Sequence, residues 1–176
     1  VAPGLHIAEG CQTLDCARPL GPENRLINLR RLLSHTAGIQ HYSNGVNDPS
    51  PPVESANNPE INTGIEWALA LWMENPLVAI PGTRFRYSSF GYNLAGVVLE
   101  HALDGSYEDL VLEQIAHRLG METLRADRVW AEIPRRAVGY TRTNGETVTS
   151  GNDDVSWKLP GGGFISTVTD LARYCG

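Results

Sequence analysis

The sequence predicts a mainly α-helical body carrying one small β-hairpin. Two observations lead there: four apolar runs at helical spacing, separated by glycine, proline and asparagine breaks, and a single Asn144-Gly145 pair set between β-prone residues. The chain of 176 residues is near the size of one domain, and the runs lie close enough together to pack as one unit over residues 1–176.

Residues 1–23 read as an irregular N-terminal segment, because Pro3, Gly4, Gly10, Pro19, Gly21 and Pro22 interrupt every periodic run. Asn24 is the candidate cap of a first helix carrying Leu26, Ile27, Leu29, Leu32 and Leu33, closed by Gly38. The stretch from Asn44 to Pro59 is dense in Asn, Pro and Ser and reads as a loop. Thr63 and Glu66 have the spacing of a capping box ahead of Trp67, Leu69, Leu71 and Trp72, so a second helix is expected to reach about Glu74, before Asn75-Pro76.

Pro81-Gly82-Thr83 marks a turn. A third helix is expected from about Gly91, with Leu94, Ala95, Val98, Leu99 and Ala102 on one buried face and Gly105 at its end. Ser106 with Asp109 opens a fourth, bearing Leu110, Val111 and Ile115 and stopped by Gly120. Val138 to Thr149 is the hairpin. The Gly161-Gly162-Gly163 turn then precedes a short strand and a last helix opening at Thr167, with Asp170 near its start. That helix is still in its first turns at Gly176, so the element is expected to continue in a longer polypeptide.

Composition excludes several function classes. Net charge is −6 and the basic residues are scattered, which leaves no stripe to neutralise phosphates, so nucleic acid is not an expected partner. The longest apolar stretches, Trp67 to Met73 and Leu94 to Leu99, are far short of the roughly 20 residues that span a bilayer, and no membrane span is expected in this chain. Cys11 and Cys16 are spaced for a small disulfide loop, with Cys175 left over. No second Cys or His pair matches them at zinc-site spacing, and Asp153-Asp154 reads as a hydrated acidic pair; neither a metal nor a cofactor is expected. The triple glycine lacks a lysine placed as in a phosphate-binding loop and is read as a close-approach turn. Lys158 is the only lysine, so any lysine-dependent chemistry has one candidate here.

Tyr87 is the leading catalytic candidate. Phe85, Tyr87 and Ser88-Ser89-Phe90-Gly91 place a phenol at the mouth of a helix N-terminus, where it can accept a proton from a serine hydroxyl. The same residues also suit a packed core or rim tyrosine. His35, between Ser34 and Thr36, reads as a helix-end packing and hydrogen-bonding residue, since no acidic orienter lies near it in sequence. His41 and Tyr42 read as solvated loop residues, the alternative being the edge of a pocket.

Three motifs then bear on function together: Leu29-Arg30-Arg31-Leu32-Leu33-Ser34-His35-Thr36-Ala37-Gly38-Ile39; Pro81-Gly82-Thr83-x-Phe85-x-Tyr87-Ser88-Ser89-x-Gly91-Tyr92-Asn93-Leu94; and Gly161-Gly162-Gly163-Phe164-Ile165-Ser166-Thr167-x-x-Asp170-Leu171. In order and spacing they resemble signatures of β-lactamase-related serine hydrolases, the group of class C β-lactamases and penicillin-binding proteins. Gly38-Ile39-x-His41-Tyr42 and Ser156-x-Lys158 add to a likeness that runs from about Ile27 to Leu171. The resemblance implies the helical region of an α/β β-lactamase-like fold. It also implies acyl transfer through a covalent serine ester, with a Ser-x-x-Lys motif as nucleophile and ammonium and a tyrosine that moves protons. Tyr87 matches that tyrosine. Ser89 occupies the position where many members carry an asparagine that holds the substrate amide, and Gly162 and Gly163 fall in the glycine turn beside the cleft; these three are the substrate-binding candidates. The implied substrate is a small molecule or peptide with an amide, ester or β-lactam bond, met in a periplasmic or other extracytoplasmic compartment of a bacterium.

The chain departs from the family pattern in one large respect. It contains no Ser-x-x-Lys; Ser156-Trp157-Lys158 is one residue too short to put both side chains on one helical face, and no Lys-Thr-Gly or His-x-Gly follows. The nucleophile and main sheet are therefore expected from flanking segments of the same protein, and the chain alone is expected to be inactive. The alternative is a non-catalytic scaffold or binding module that recognises a peptidoglycan fragment or a protein partner.

Overall fold

The computed structural model describes residues 26–41, 64–152 and 154–176. The expectations for residues 1–23, Asn24, the Cys11–Cys16 loop, Tyr42, the 44–59 loop, Thr63 and Asp153 lie outside those residues.

The first helix, α1 (Leu29–Leu33), is shorter than expected. Its N-cap is Asn28, whose Oδ1 accepts the Arg31 N–H at 3.1 Å. It ends before Gly38 because His35 turns into the left-handed region, at φ 55°. The second helical stretch is a 3₁₀ turn, Ile65–Leu71, which stops short of Glu74. Gly64 precedes it at φ 76° without a side-chain cap, and burial of Ile65, Ala68, Leu69 and Trp72 governs its winding more than helix propensity does.

Helix α2 (Ser89–Leu103) is the centre of the fold. It starts earlier than the periodicity suggests because Ser88 caps it, its hydroxyl accepting the Gly91 N–H at 3.0 Å. Ser89, Phe90, Gly91 and Asn93 to Val98 are all buried, so its first half is covered on nearly every side. Its last turns emerge into solvent: Leu99 is 39% exposed and Ala102 is exposed. The reason is where its neighbours pack. Leu32 of α1 lies against Gly91, while Ile65 and Pro160 lie against Gly96.

Residues 107–119 form α3, with α-helical ends Tyr107–Val111 and His117–Leu119 around a π-helical stretch Leu112–Ala116. Ser106 caps it by accepting the Asp109 N–H at 3.1 Å, and Gly120 ends it at φ 65°, both as the sequence suggests. Strand β1 (Arg125–Ala126) pairs antiparallel with β4 (Phe164–Ile165), in the register Arg125↔Ile165 and Ala126↔Phe164. Strands β2 (Tyr140–Thr143) and β3 (Glu146–Thr149) make the expected hairpin, with Asn144 and Gly145 both at positive φ.

The triple glycine is not a free turn. Gly161 and Gly162 complete the short helix α4 (Leu159–Gly162), which Pro160 starts and the 3₁₀ turn Ser156–Lys158 precedes. Helix α5 (Val168–Cys175) opens at Thr167, whose Oγ1 accepts the Asp170 N–H. The core joins Ile27, Leu32 and Ile39 with Ile65, Leu69, Trp72, Phe90, Leu94, Val97, Trp157 and Leu159. Each large apolar side chain buried this way contributes about 1.5–3 kcal/mol relative to exposure. No helix among the described residues is long and apolar enough to cross a membrane.

Candidate active site

Tyr87 lies just before the Ser88 cap, at the N-terminus of α2. Its ring is 52% exposed and is not enclosed by apolar neighbours. Two imidazoles flank it instead, with ring centroids at 4.6 Å for His35 and 5.0 Å for His41, the latter edge-on. The loop from His35 to His41 is bound to the segment that carries Tyr87: Val78, Gly82 and Arg86 donate backbone N–H groups to the carbonyls of Gly38, Thr36 and His35 at 2.9, 2.7 and 2.7 Å. The Ser88 hydroxyl donates to the Gln40 carbonyl at 2.7 Å.

The free amides of the α2 N-terminus are taken up by the same loop. Ser88 N–H donates to His35 Nδ1 at 3.2 Å and Ser89 N–H donates to His41 Nδ1 at 3.3 Å. An imidazole that accepts at Nδ1 carries its proton on Nε2 and is neutral. Burial holds His35 below its ordinary pKa. His41 is held below its own by burial first, then by the Lys158 ammonium and by His35. The single lysine of the chain is thus brought into electrostatic reach of this corner, with its Nζ 5.4 Å from the centre of the Trp157 ring.

The other candidates divide between this corner and the core beside it. Ser89 is buried in the first turn of α2, next to Gly161, where a Cβ would sit 3.3 Å from Ser89 Cβ and 3.1 Å from Asn93 Oδ1. Gly162 is exposed at φ 130°. Gly163 is buried, where a Cβ would meet the Val155 carbonyl at 2.6 Å. A cavity of about 620 Å³ lies elsewhere, lined by Thr123, Arg125, Arg135, Arg136, Ser166 and Thr167 among others, and includes none of the candidates.

Comparison with known proteins decides the family. The family described as beta-lactamase matches residues 14–176. This chain belongs to the beta-lactamase family. It is 36% identical over 108 residues to the serine beta-lactamase-like protein LACTB, mitochondrial, of Homo sapiens, covering 61% of this chain and 20% of that protein. Among solved structures it resembles a penicillin-binding protein from Bacillus halodurans, with TM-score 0.68 and 23% identity over 88% of this chain and 46% of the other. It also resembles a D-stereospecific amidohydrolase from Streptomyces, with TM-score 0.69 and 23% identity over 86% of this chain and 46% of the other. The fold is therefore the β-lactamase and penicillin-binding-protein-like fold, and this chain supplies a largely helical part of it. It spans about a fifth of the length of the human relative and under half of each solved chain.

Two residues have structural parts that their sequence neighbourhoods do not announce. His41 reads in sequence as a solvated loop residue, but it is partly buried and bonded to the α2 terminus. The contact joins positions 48 apart, so no local signal announces it. Asp170 reads as a first-turn helix residue; it is also 1% exposed and accepts from both the backbone N–H and the hydroxyl of Thr123, at 2.6 and 2.5 Å. Thr123, which begins the approach to β1, carried no sequence signal at all.

Proposed function

We propose that this chain forms the tyrosine-bearing wall of the active site of a serine hydrolase that cleaves an amide, ester or β-lactam bond through an acyl-enzyme. The nucleophilic Ser-x-x-Lys comes from polypeptide outside the chain, and the chain alone does not turn over substrate. Tyr87 takes the proton of the attacking serine hydroxyl and returns it to the departing amine or alkoxide, while the serine oxygen bonds to the substrate carbonyl carbon. Ser89, Gly162 and Gly163 contribute to substrate binding, and Ser89 reaches less far than the asparagine common at that position. The substrate is a small molecule or peptide, and the chemistry suits an extracytoplasmic compartment of a bacterium.

The observation that carries this reading is the half-exposed Tyr87 ring at the α2 N-terminus, held between two imidazoles. The buried amide of Asn93 supports it, since neither its Nδ2 nor its Oδ1 has a partner among the described residues. Leaving a buried polar group unpaired costs about 1–3 kcal/mol, so a polar group from outside the described residues is expected to meet it. The test is covalent labelling of the full-length protein by a fluorescent penicillin or an activated ester. Tyr87→Phe is expected to slow labelling by about tenfold or more. Wild-type labelling by that variant rejects the role given to Tyr87.

A second reading, a non-catalytic scaffold that recognises peptidoglycan fragments or a protein, is favoured by Ser89 in place of asparagine and by the lack of Ser-x-x-Lys in these residues. It requires that the full-length protein form no adduct with either probe.

A further inference from the structure

Tyr87 is the residue the proposed chemistry depends on, yet nothing in its own segment fixes its ring. The ring contacts that restrain it come from His35 and His41, at 4.6 and 5.0 Å. Each of those imidazoles is itself pinned, because its Nδ1 accepts a backbone N–H from the first residues at the α2 terminus, Ser88 for one and Ser89 for the other. The rings therefore cannot turn without giving up a bond to a helix end that presents free amides. Protonation at Nδ1 would set an N–H against an N–H and break that bond.

Resting on the reading of Tyr87 as proton carrier, we propose that His41, together with His35, is a positioning residue that holds the Tyr87 ring in place and releases it when the imidazole gains a proton. Groups facing His41 among the described residues include Tyr87, His35 and the Lys158 ammonium from the turn before α4. Those facing His35 include Tyr87, Phe85, His41 and the phenol of Tyr92, whose hydroxyl donates to the Leu33 carbonyl at 2.9 Å. Burial and the Lys158 ammonium oppose an imidazolium at His41, and burial opposes one at His35. The neutral form is therefore favoured at neutral pH, and release belongs to the acid side of the ordinary imidazole value of 6.5.

The first measurement needs no variant. In the full-length protein with ¹⁵N-labelled histidine, His35 and His41 are expected to carry the proton on Nε2 at pH 7. Both are expected to titrate below 6.5, and the Tyr87 ring resonances are expected to move with the same midpoint. A proton on Nδ1 of either ring, or Tyr87 resonances indifferent to that titration, overturns the proposal whatever Tyr87 does in catalysis. The second is a double-mutant cycle on labelling rate. His41→Ala is expected to slow labelling about tenfold in the wild-type background and to add nothing on top of Tyr87→Phe. His41→Asn, whose Oδ1 can accept the Ser89 N–H, is expected to restore the rate and to flatten the acid limb of the pH profile. Equal slowing by His41→Ala in both backgrounds reduces His41 to a structural residue and overturns the proposal. Normal labelling by Tyr87→Phe instead rejects the function of Tyr87, and the tautomer and titration data then still decide whether the imidazoles hold its ring.

Discussion

Substituting Gly96 by alanine tests the packing that sets the glycine turn against α2. Gly96 lies inside α2, where alanine would ordinarily gain about 1 kcal/mol of helix propensity. Here, however, the added Cβ would sit 2.2 Å from Pro160 Cγ, 2.9 Å from Pro160 Cβ and 3.0 Å from Ile65 Cδ1. Favourable carbon contacts lie at about 3.5–4.0 Å, so Pro160 would have to retreat by more than an ångström. A proline ring at the start of α4 cannot swing aside by changing rotamer, so α4 must move as a unit. Overpacking of this kind costs about 1–3 kcal/mol, and the rigidity of the obstacle puts this case near the top of that range. After the gain in propensity, a net loss of about 2 kcal/mol is expected. Urea unfolding of the full-length protein, followed through the buried Trp72 and Trp157, measures it. Pro160→Ala removes most of the obstructing ring, so the double variant is expected to lose at least about 1 kcal/mol less than the sum of the singles. An unchanged or raised midpoint for Gly96→Ala refutes the close approach of α2 and α4.

Two further outcomes follow from the same reasoning. The hydroxyl of Thr123, its backbone N–H and the neighbouring Arg173 together hold the Asp170 carboxyl below its ordinary value of 3.8. A carboxyl depressed on folding stabilises the protein above the unfolded value and loses that contribution as pH falls through the folded one. Unfolding midpoints measured between about pH 2 and 6 should therefore drop on the acid side for wild type. Asp170→Asn should flatten that component; an unchanged acid slope refutes the link between α5 and Thr123. Gly145→Ala places a side chain at φ 87°, in open space, within a hairpin whose strands are exposed on both faces. Hydrogen exchange should quicken for amides 140–149, while global stability changes by less than about 0.5 kcal/mol; a large global loss would mean the hairpin is part of the core.

The Tyr87-Ser88-Ser89 part of the candidate site is legible in the sequence because its residues are local to one another and to the helix they precede. Tyr87-Ser88-Ser89 sits directly before an apolar run, and a serine hydroxyl capping a helix three residues ahead is a short-range interaction that any neighbourhood of this composition favours. Apolar spacing places the start of α2 slightly late because it registers only buried positions, while the helix begins at its cap. The second helix went the other way: a capping pattern and apolar spacing suggested α-helix to about Glu74, yet packing against α2 settled for a 3₁₀ turn ending at Leu71.

The sequence by itself determined the features whose partners lie within four residues. Ser106 bonding to Asp109, Thr167 bonding to Asp170, and the positive φ that Asn144 and Gly145 tolerate are all of this kind, because local backbone geometry is decided by steric freedom and short-range hydrogen bonds. Only the tertiary structure decided the features whose partners are some forty to fifty residues away. These are the imidazole of His41 on Ser89, the carboxylate of Asp170 on Thr123, and the pairing of β1 with β4. Such contacts form when burial of the core brings distant segments together, and a residue bears no mark in its own neighbourhood of the partner that burial will bring to it.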